Sequence, residues 1–186
     1  MNINDRRVRK TKKALIQALS SLMMKKELHN ITIKELTDKA DIHRATFYSH
    51  YEDIYDLYKK VENSIINEID NILVINQTNS YEDIYKSIVD YVYDNPMICM
   101  MFLSKNSSIK FKNRICEVIE KNYLNIWLYE DRKTEITNEM EYIAKYHIQG
   151  CISIICHWIE NDFSYPKHLI IELLRKVDIN IEKINI

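Results

Sequence analysis

The chain has 186 residues, 46% of them hydrophobic and 28% charged, with a formal net charge of −1. That length holds one or two small domains with a real buried core, and the composition excludes a disordered chain. A single Gly and two Pro are too few for the many tight turns of sandwiches and barrels or for glycine-rich phosphate loops, so an all-α fold of about nine helices is expected. The charge is unevenly spread: residues 1–60 carry 13 Lys+Arg against 8 Asp+Glu, a balance of +5, and residues 61–186 carry 13 against 19, a balance of −6. A basic first third points to a polyanionic partner for that part alone.

The longest unbroken apolar run, MICMMFL at 97–103, is far too short to span a bilayer, so no membrane partner is expected. The basic start MNINDRRVRKTKK is not followed by a signal-type apolar segment. Cys99, Cys116, Cys151 and Cys156 form no CxxC pair or framework spacing and read as reduced core thiols of a cytoplasmic protein.

In chain order, a first helix is expected over about Asp5–Lys26, with Leu15, Ala18, Leu19, Leu22 and Met23 on one face. Its first turns carry Arg6, Arg7, Arg9, Lys10, Lys12 and Lys13. Cations at a helix N-terminus oppose the helix dipole, a cost that phosphates would offset. Thr32 and Glu35 have the spacing of a capping box for a helix of about two turns. That helix stops at Asp41-Ile42, and another short one starts near His43. Two short helices after a longer basic one make a helix-turn-helix arrangement. In the second, Ile42 and Phe47 can pack inward, leaving His43, Arg44, Thr46, Ser49 and His50 outward. Such hydrogen-bonding side chains of short or moderate reach suit base edges and phosphate oxygens. An exposed polar helix with no partner is the plainer alternative.

Asp53 is a plausible N-cap for a long helix over Ile54 to about Ile75, followed by a turn at NQTNS, 76–80. Further helices are expected at Tyr81–Asp94, closed by Asn95-Pro96, and at Met97–Leu103, broken by residues 104–108. They continue at Ile109 to about Leu128, after which YEDRKTE forms a charged turn, and at about Thr137–Glu160. The last runs from Pro166, suited to a first turn, to about Lys176. The aromatic residues Tyr85, Tyr91, Phe102, Phe111, Tyr123 and Trp127, with His147, are candidates for an effector pocket, although aromatic residues in helical bodies more often form core. Ile148, Cys151, Ile152, Ile155, Trp158 and Ile159 form one apolar face, and Leu169, Leu173 and Val177 belong to another. Two long apolar terminal helices of this kind suit an isologous dimer interface, with Gly150 permitting close approach. His147 and Cys151, four apart, lack a further ligand at suitable spacing, so no metal and no cofactor is expected. A nucleophile elbow, a phosphate loop and paired catalytic carboxylates are all missing, so no enzyme is expected.

Residues 32–57, TIKELTDKADIHRATFYSHYEDIYDL, resemble the head of the TetR family of bacterial transcription regulators. The match lies in the Thr-capped helix, the turn, a recognition helix with Thr46 and Tyr48, the aromatic Tyr51, an acidic cap and Leu57. With the basic first helix it covers roughly residues 5–70. The remainder more loosely resembles the subset named dihydroxyacetone kinase regulators, through Asn95-Pro96, LSKN at 103–106, Gly150 and WIEN at 158–161. The resemblance implies a DNA-binding domain at 1–52 and a helical effector-binding and dimerisation domain at 53–186. It implies a homodimer on double-stranded operator DNA, acting as a repressor released by an unidentified small molecule. Thr32 and Tyr48 would meet phosphates, His43, Arg44, Thr46 and His50 would face the groove, and Ala45 would allow close approach, with Lys34 and Ser49 completing the set. The last two helices would build a four-helix dimer interface, and helices five to seven would enclose the effector. Two positions depart from the family pattern. Asp41 replaces the usual Gly of the turn, and Ile54 replaces a Lys that commonly meets a phosphate. These departures leave open an alternative in which DNA contact is weakened and the body acts mainly through a protein partner.

Overall fold

The computed structural model describes residues 3–76, 81–103, 109–130 and 134–182, and these form nine α-helices and one 3-10 turn, with no strand among them. The turn expected at 77–80, the break at 104–108 and positions 131–133 of the charged turn lie outside the described residues.

Helix α1 (Ile3–Met23) buries Leu15, Ala18 and Leu19, the stripe its periodicity marks out. It ends three residues earlier than expected, because the chain turns at Met24–Lys26 and then forms the 3-10 turn Leu28–Asn30, which has no separate sequence signal. Helix α2 (Ile33–Ala40) starts with the expected capping box. The Thr32 hydroxyl accepts from the Glu35 amide at 3.2 Å, and the Glu35 carboxylate accepts from the Thr32 amide at 3.0 Å. Lys26 closes the arrangement from the preceding loop, 2.7 Å from Glu35. Helix α2 stops at Asp41, which is left-handed (φ 53, ψ 50). The amide of Ile42 reaches back to the Thr37 carbonyl at 3.1 Å, the 6→1 bond of a Schellman ending. Asp thus does here what Gly usually does.

Helix α3 (Arg44–Tyr48) has only five residues, and its Phe47 is 0% exposed. Asp53 starts α4 (Ile54–Asn76) by accepting from the Asp56 amide at 2.7 Å, while Asp56 accepts from the Glu52 amide at 3.1 Å. Leu57, Val61, Ile65, Ile69 and Leu73 then carry one buried stripe down α4. A single core cluster runs from Leu15, Leu36 and Phe47 through Leu57 and Ile65 to Phe102 and Phe111. At residues 51–53 the chain leaves helix, yet the packing continues across that point.

The body comprises α5 (Tyr81–Asp94), α6 (Pro96–Leu103), α7 (Ile109–Glu130), α8 (Asn138–Glu160) and α9 (Lys167–Glu182). Pro96 opens α6, where its missing N–H is no loss. Helix α4 packs on α5 and α7, α7 on α8, α8 on α9, and α9 back on α5, a closed circuit of five helices. Helix α6 lies against α1, so it joins the circuit to the head. Polar ties between α7 and α4 fix their register: Arg114 to Glu62 at 2.9 Å and Asn122 to Asp70 at 2.8 Å. The turn into α9 is tight, with Asp162 (φ 51) and Phe163 (φ 56) both left-handed. Strain at a bulky residue needs compensation, and the Phe163 ring meets Trp158 edge-on at 4.8 Å while Trp158 Nε1 donates to the Tyr165 carbonyl at 2.7 Å. Pro166 precedes α9 rather than opening it, and α9 continues six residues beyond the expected Lys176. No helix of the described residues is long and apolar enough to cross a membrane.

Two measurements check this local physics. Asp41→Gly should raise stability in urea by up to about 1 kcal/mol, because Gly adopts the left-handed region without the Cβ clash; a loss would show that the Asp side chain contributes something else. The Glu35 carboxyl is lowered to about 2 by the Lys26 hydrogen bond first, then by Thr32. Its contribution is therefore full above the ordinary value of 4.5 and disappears as pH falls toward about 2. The stability advantage of the native chain over Glu35→Gln should shrink across that window, and parallel pH profiles would contradict the assignment.

Candidate nucleic-acid interface and ligand chamber

The head displays its polar groups because its apolar ones are fully used. With Phe47 wedged inward, Tyr51 buried beside it at 5.7 Å between ring centroids, and Ile42 packed on the core, the rest of α3 turns outward. His43, Arg44, Ala45 and Ser49 are exposed, Thr46 and His50 are half-buried, and Tyr48 is 57% exposed. His43 occupies the N-cap of α3 without making a side-chain cap bond, and no described residue forms an ion pair with the Arg44 guanidinium. Both side chains are therefore available to a partner. Two members of the expected set are partly committed. The Ser49 hydroxyl donates to the Thr46 carbonyl at 2.7 Å, and the Thr32 hydroxyl donates to Glu35 at 2.9 Å. Thr32 would have to rotate to donate to a phosphate, but it sits at the N-terminus of α2, where free amides favour an anion. Lys34, in the same first turn, is exposed.

Arg6, Arg7, Arg9, Lys10, Lys12 and Lys13 are all exposed on α1. Lys12 shares an open cleft of about 590 Å³ with Ser49, His50 and Lys60, so the basic end of α1 and the end of α3 border one concavity. Lys60 braces this corner. Its ammonium bonds Asp56 at 2.8 Å and the His50 carbonyl at 3.3 Å, and lies 5.2 Å from the centre of the Tyr51 ring. Ile54 is only 6% exposed and belongs to the core. Its position therefore serves packing, and the phosphate-facing Lys of the family pattern has no counterpart at this residue.

Inside the circuit of body helices lie two adjoining apolar cavities of about 60 and 50 Å³. Tyr85, Tyr123 and His147 line the first, and Tyr91, Phe102 and Phe111 line the second. Six of the seven pocket candidates are thus brought to one chamber. Trp127 is the exception: it packs on Tyr123 at 5.0 Å in a separate cluster with Met140 and Ala144 and lines neither cavity. Ile88, Ile119, Ile152 and Ile155 line both cavities and so form the wall between them.

One end of the chamber carries a buried polar knot that sequence reading missed. Asp178, 2% exposed, stands 3.1 Å from His147 Nε2 and accepts from the Tyr123 hydroxyl at 3.1 Å. The Tyr85 oxygen lies 3.0 Å from the same Nε2. Burial, with the Cys151, Asp178 and Tyr123 groups beside it, raises the Tyr85 hydroxyl far above its ordinary value, and burial pushes the Cys151 thiol up to about 12. Both stay protonated at neutral pH. The knot ties α5, α7, α8 and α9 together. Its sequence signal was an acid in register with the apolar positions Ile170 and Leu174, beyond the point where the last helix was expected to end. No group of three or more His, Cys, Asp or Glu able to hold a metal occurs among the described residues.

The expected interface face of α8 is redistributed. Ile148, Ile155, Trp158 and Ile159 are buried within the protomer, and Cys151 and Ile152 line the chamber. They are correctly read as apolar, but the closed circuit gives them internal partners. On α9, Leu169 and Val177 are half-buried and Leu173 is 40% exposed. Around Gly150 a side chain would meet nothing within 4 Å, so inside the protomer this glycine admits no close helix approach.

Comparison with known proteins agrees with this architecture. Residues 79–178, more than half of the chain, match the model for the C-terminal region of TetR transcriptional regulators. The uncharacterized HTH-type transcriptional regulator YxbF of Bacillus subtilis (strain 168) is 26% identical over 189 residues, covering 97% of this chain and 48% of that protein. The chain thus spans about half the length of this curated relative. Among solved structures, the dihydroxyacetone kinase operon activator DhaS superposes with a TM-score of 0.61 at 17% identity, covering 93% of this chain and 94% of that one. The fatty acid degradation regulator FadR from Bacillus halodurans gives 0.67 at 12% identity, covering 90% and 93%. At such identities these structures speak for the fold. Taken with the family match over the body and the helix-turn-helix head, they show that the chain belongs to the TetR family of transcriptional regulators.

Proposed function

We propose that this regulator binds operator DNA as a homodimer and represses transcription until a small molecule enters the body chamber. The observation that carries the DNA reading is α3 itself: a helix held by one buried Phe that presents His43, Arg44, Thr46 and Tyr48 to solvent. Residues 1–52 act as the reading head and 53–186 as the sensing and pairing body. Repression is our choice of direction; the similar DhaS is named an activator. Acting on chromosomal DNA places the protein in the cytoplasm.

Arg44 is the residue suited to bidentate contact with a guanine, worth about 1–3 kcal/mol of discrimination. The α1 cations add affinity without reading sequence. By fluorescence anisotropy on the chain's own upstream intergenic DNA and on scrambled DNA, Arg44→Ala should lose operator affinity selectively. Lys10→Ala with Lys12→Ala should weaken both DNAs alike and flatten the salt dependence. Equal losses on both DNAs for Arg44→Ala would reduce that residue to a phosphate contact.

Pairing uses the outer face of α8 and α9. Tyr142 and Tyr146 are 76% and 75% exposed, and Gly150, Ser153 and His157 continue their line along α8 toward Leu173. An open groove of about 550 Å³ between Ser153, His157, Tyr165 and Leu173 borders this face. The two tyrosines flank the side-chain-free notch at Gly150, where a partner helix can approach. Tyr146→Arg with Leu173→Arg should convert the dimer to monomer in sedimentation, without loss of helicity because both sites are exposed in the protomer. A native chain that sediments as a monomer at all concentrations would contradict the pairing.

A further inference from the structure

His147 is 2% exposed, and its two ring nitrogens are unequally served. Nε2 lies 3.1 Å from an Asp178 oxygen, so it carries a proton toward that carboxylate. Nδ1 has only the Cys151 sulfur, at 3.9 Å, a weak partner. His147 and Cys151 both line the chamber. A buried, poorly answered polar atom beside an apolar void is a free-energy cost that a bound group can remove.

Resting on the effector reading above, we propose that the ligand is a compact lipophilic alcohol or phenol whose hydroxyl seats on His147 Nδ1. A hydroxyl both donates and accepts, so it answers Nδ1 whether the imidazole is neutral or protonated. A carboxylate ligand would instead meet the Asp178 charge behind the ring in a low-dielectric site. An ammonium would find no carboxylate on the chamber wall, because Asp178 lies behind Tyr85, Tyr123 and His147 and does not line the cavity. The remaining walls are chiefly isoleucine, with no second group to orient a polar ligand. Each cavity, at about 60 or 50 Å³, is smaller than the roughly 150 Å³ that holds benzene in an apolar core. Rotation of the shared Ile88, Ile119, Ile152 and Ile155 side chains joins the two and admits one ring or a short branched chain.

The test uses calorimetry on the full chain with phenol, benzene and benzoate as probes. Phenol should bind roughly tenfold tighter than benzene, the scale of one hydrogen bond to a buried acceptor or donor, and benzoate should not bind. His147→Gln keeps an amide donor for Asp178 but has no Nδ1, so it should bring phenol to the affinity of benzene and leave benzene unchanged. Ile152→Trp, which fills the chamber, should remove both. The native chain gives an independent reading: the His147 Nδ1 nitrogen resonance should move with phenol and stay still with benzene. Equal affinities for phenol and benzene, an unmoved resonance, or a phenol preference that survives His147→Gln would overturn the hydroxyl seat while leaving the chamber a ligand site. Binding of neither phenol nor benzene would overturn both readings.

Discussion

The burial of Phe47 is the contact on which the head depends. A five-residue helix closes too few hydrogen bonds to offset its own nucleation, so α3 persists only because tertiary packing holds it. Phe47 supplies that packing at 0% exposure, with Tyr51 alongside and the Leu15, Leu19, Leu36 and Leu57 side chains in the same cluster. Replacing such a side chain by Ala typically costs about 3–5 kcal/mol, a large part of a small domain's whole stability. The outward direction of His43, Arg44 and Tyr48 follows from the inward direction of Phe47.

The same cluster joins reading to sensing. It continues along α4 through Val61, Ile65 and Ile69 to Phe102 and Phe111, where the walls of the chamber begin. Tyr91 lines both the chamber and the cleft that holds Lys12, His50 and Lys60. Close-packed interiors resist continuous deformation and pass displacement to their neighbours. Under the proposed function, a ligand that parts the shared isoleucines presses on α4 and Tyr91, which border the corner that braces α3. At the other end, the Asp178 knot ties the chamber wall to α9 and hence to the pairing face. A ligand shifts the equilibrium only by the difference in its contacts between two states, and these are the elements able to supply that difference.

Much of the fold was legible because helical periodicity and end signals are local. The Thr32–Glu35 box, the Asp53 cap and the Asn95-Pro96 junction all stand where the residues announce them. The left-handed Asp41 was legible for the same reason, since an acid in the place of a turn glycine has few other conformations to take. Long-range partnership was not legible. Periodicity identified the apolar face of α8 but not its occupant, and the protomer itself covers Ile148, Ile155, Trp158 and Ile159. Trp127 looked like its aromatic neighbours yet turns to a different cluster. Asp178 was invisible as a site residue because its partners lie on three other helices, with Tyr85, Tyr123 and His147 separated from it by long stretches of chain. Ile54 could be recognised as a departure from the family pattern, but only burial explains it.

The central claim is that α3, anchored by Phe47 and flanked by the cations of α1, is the surface that meets DNA. Hydrogen–deuterium exchange of the chain with and without its upstream intergenic DNA tests it most directly. Slowed exchange in residues 41–51 and at the start of α1, with α5 and α7 unchanged, is the expected result. Protection confined to α8 and α9, or none in residues 41–51 under conditions where the DNA is bound, would contradict it.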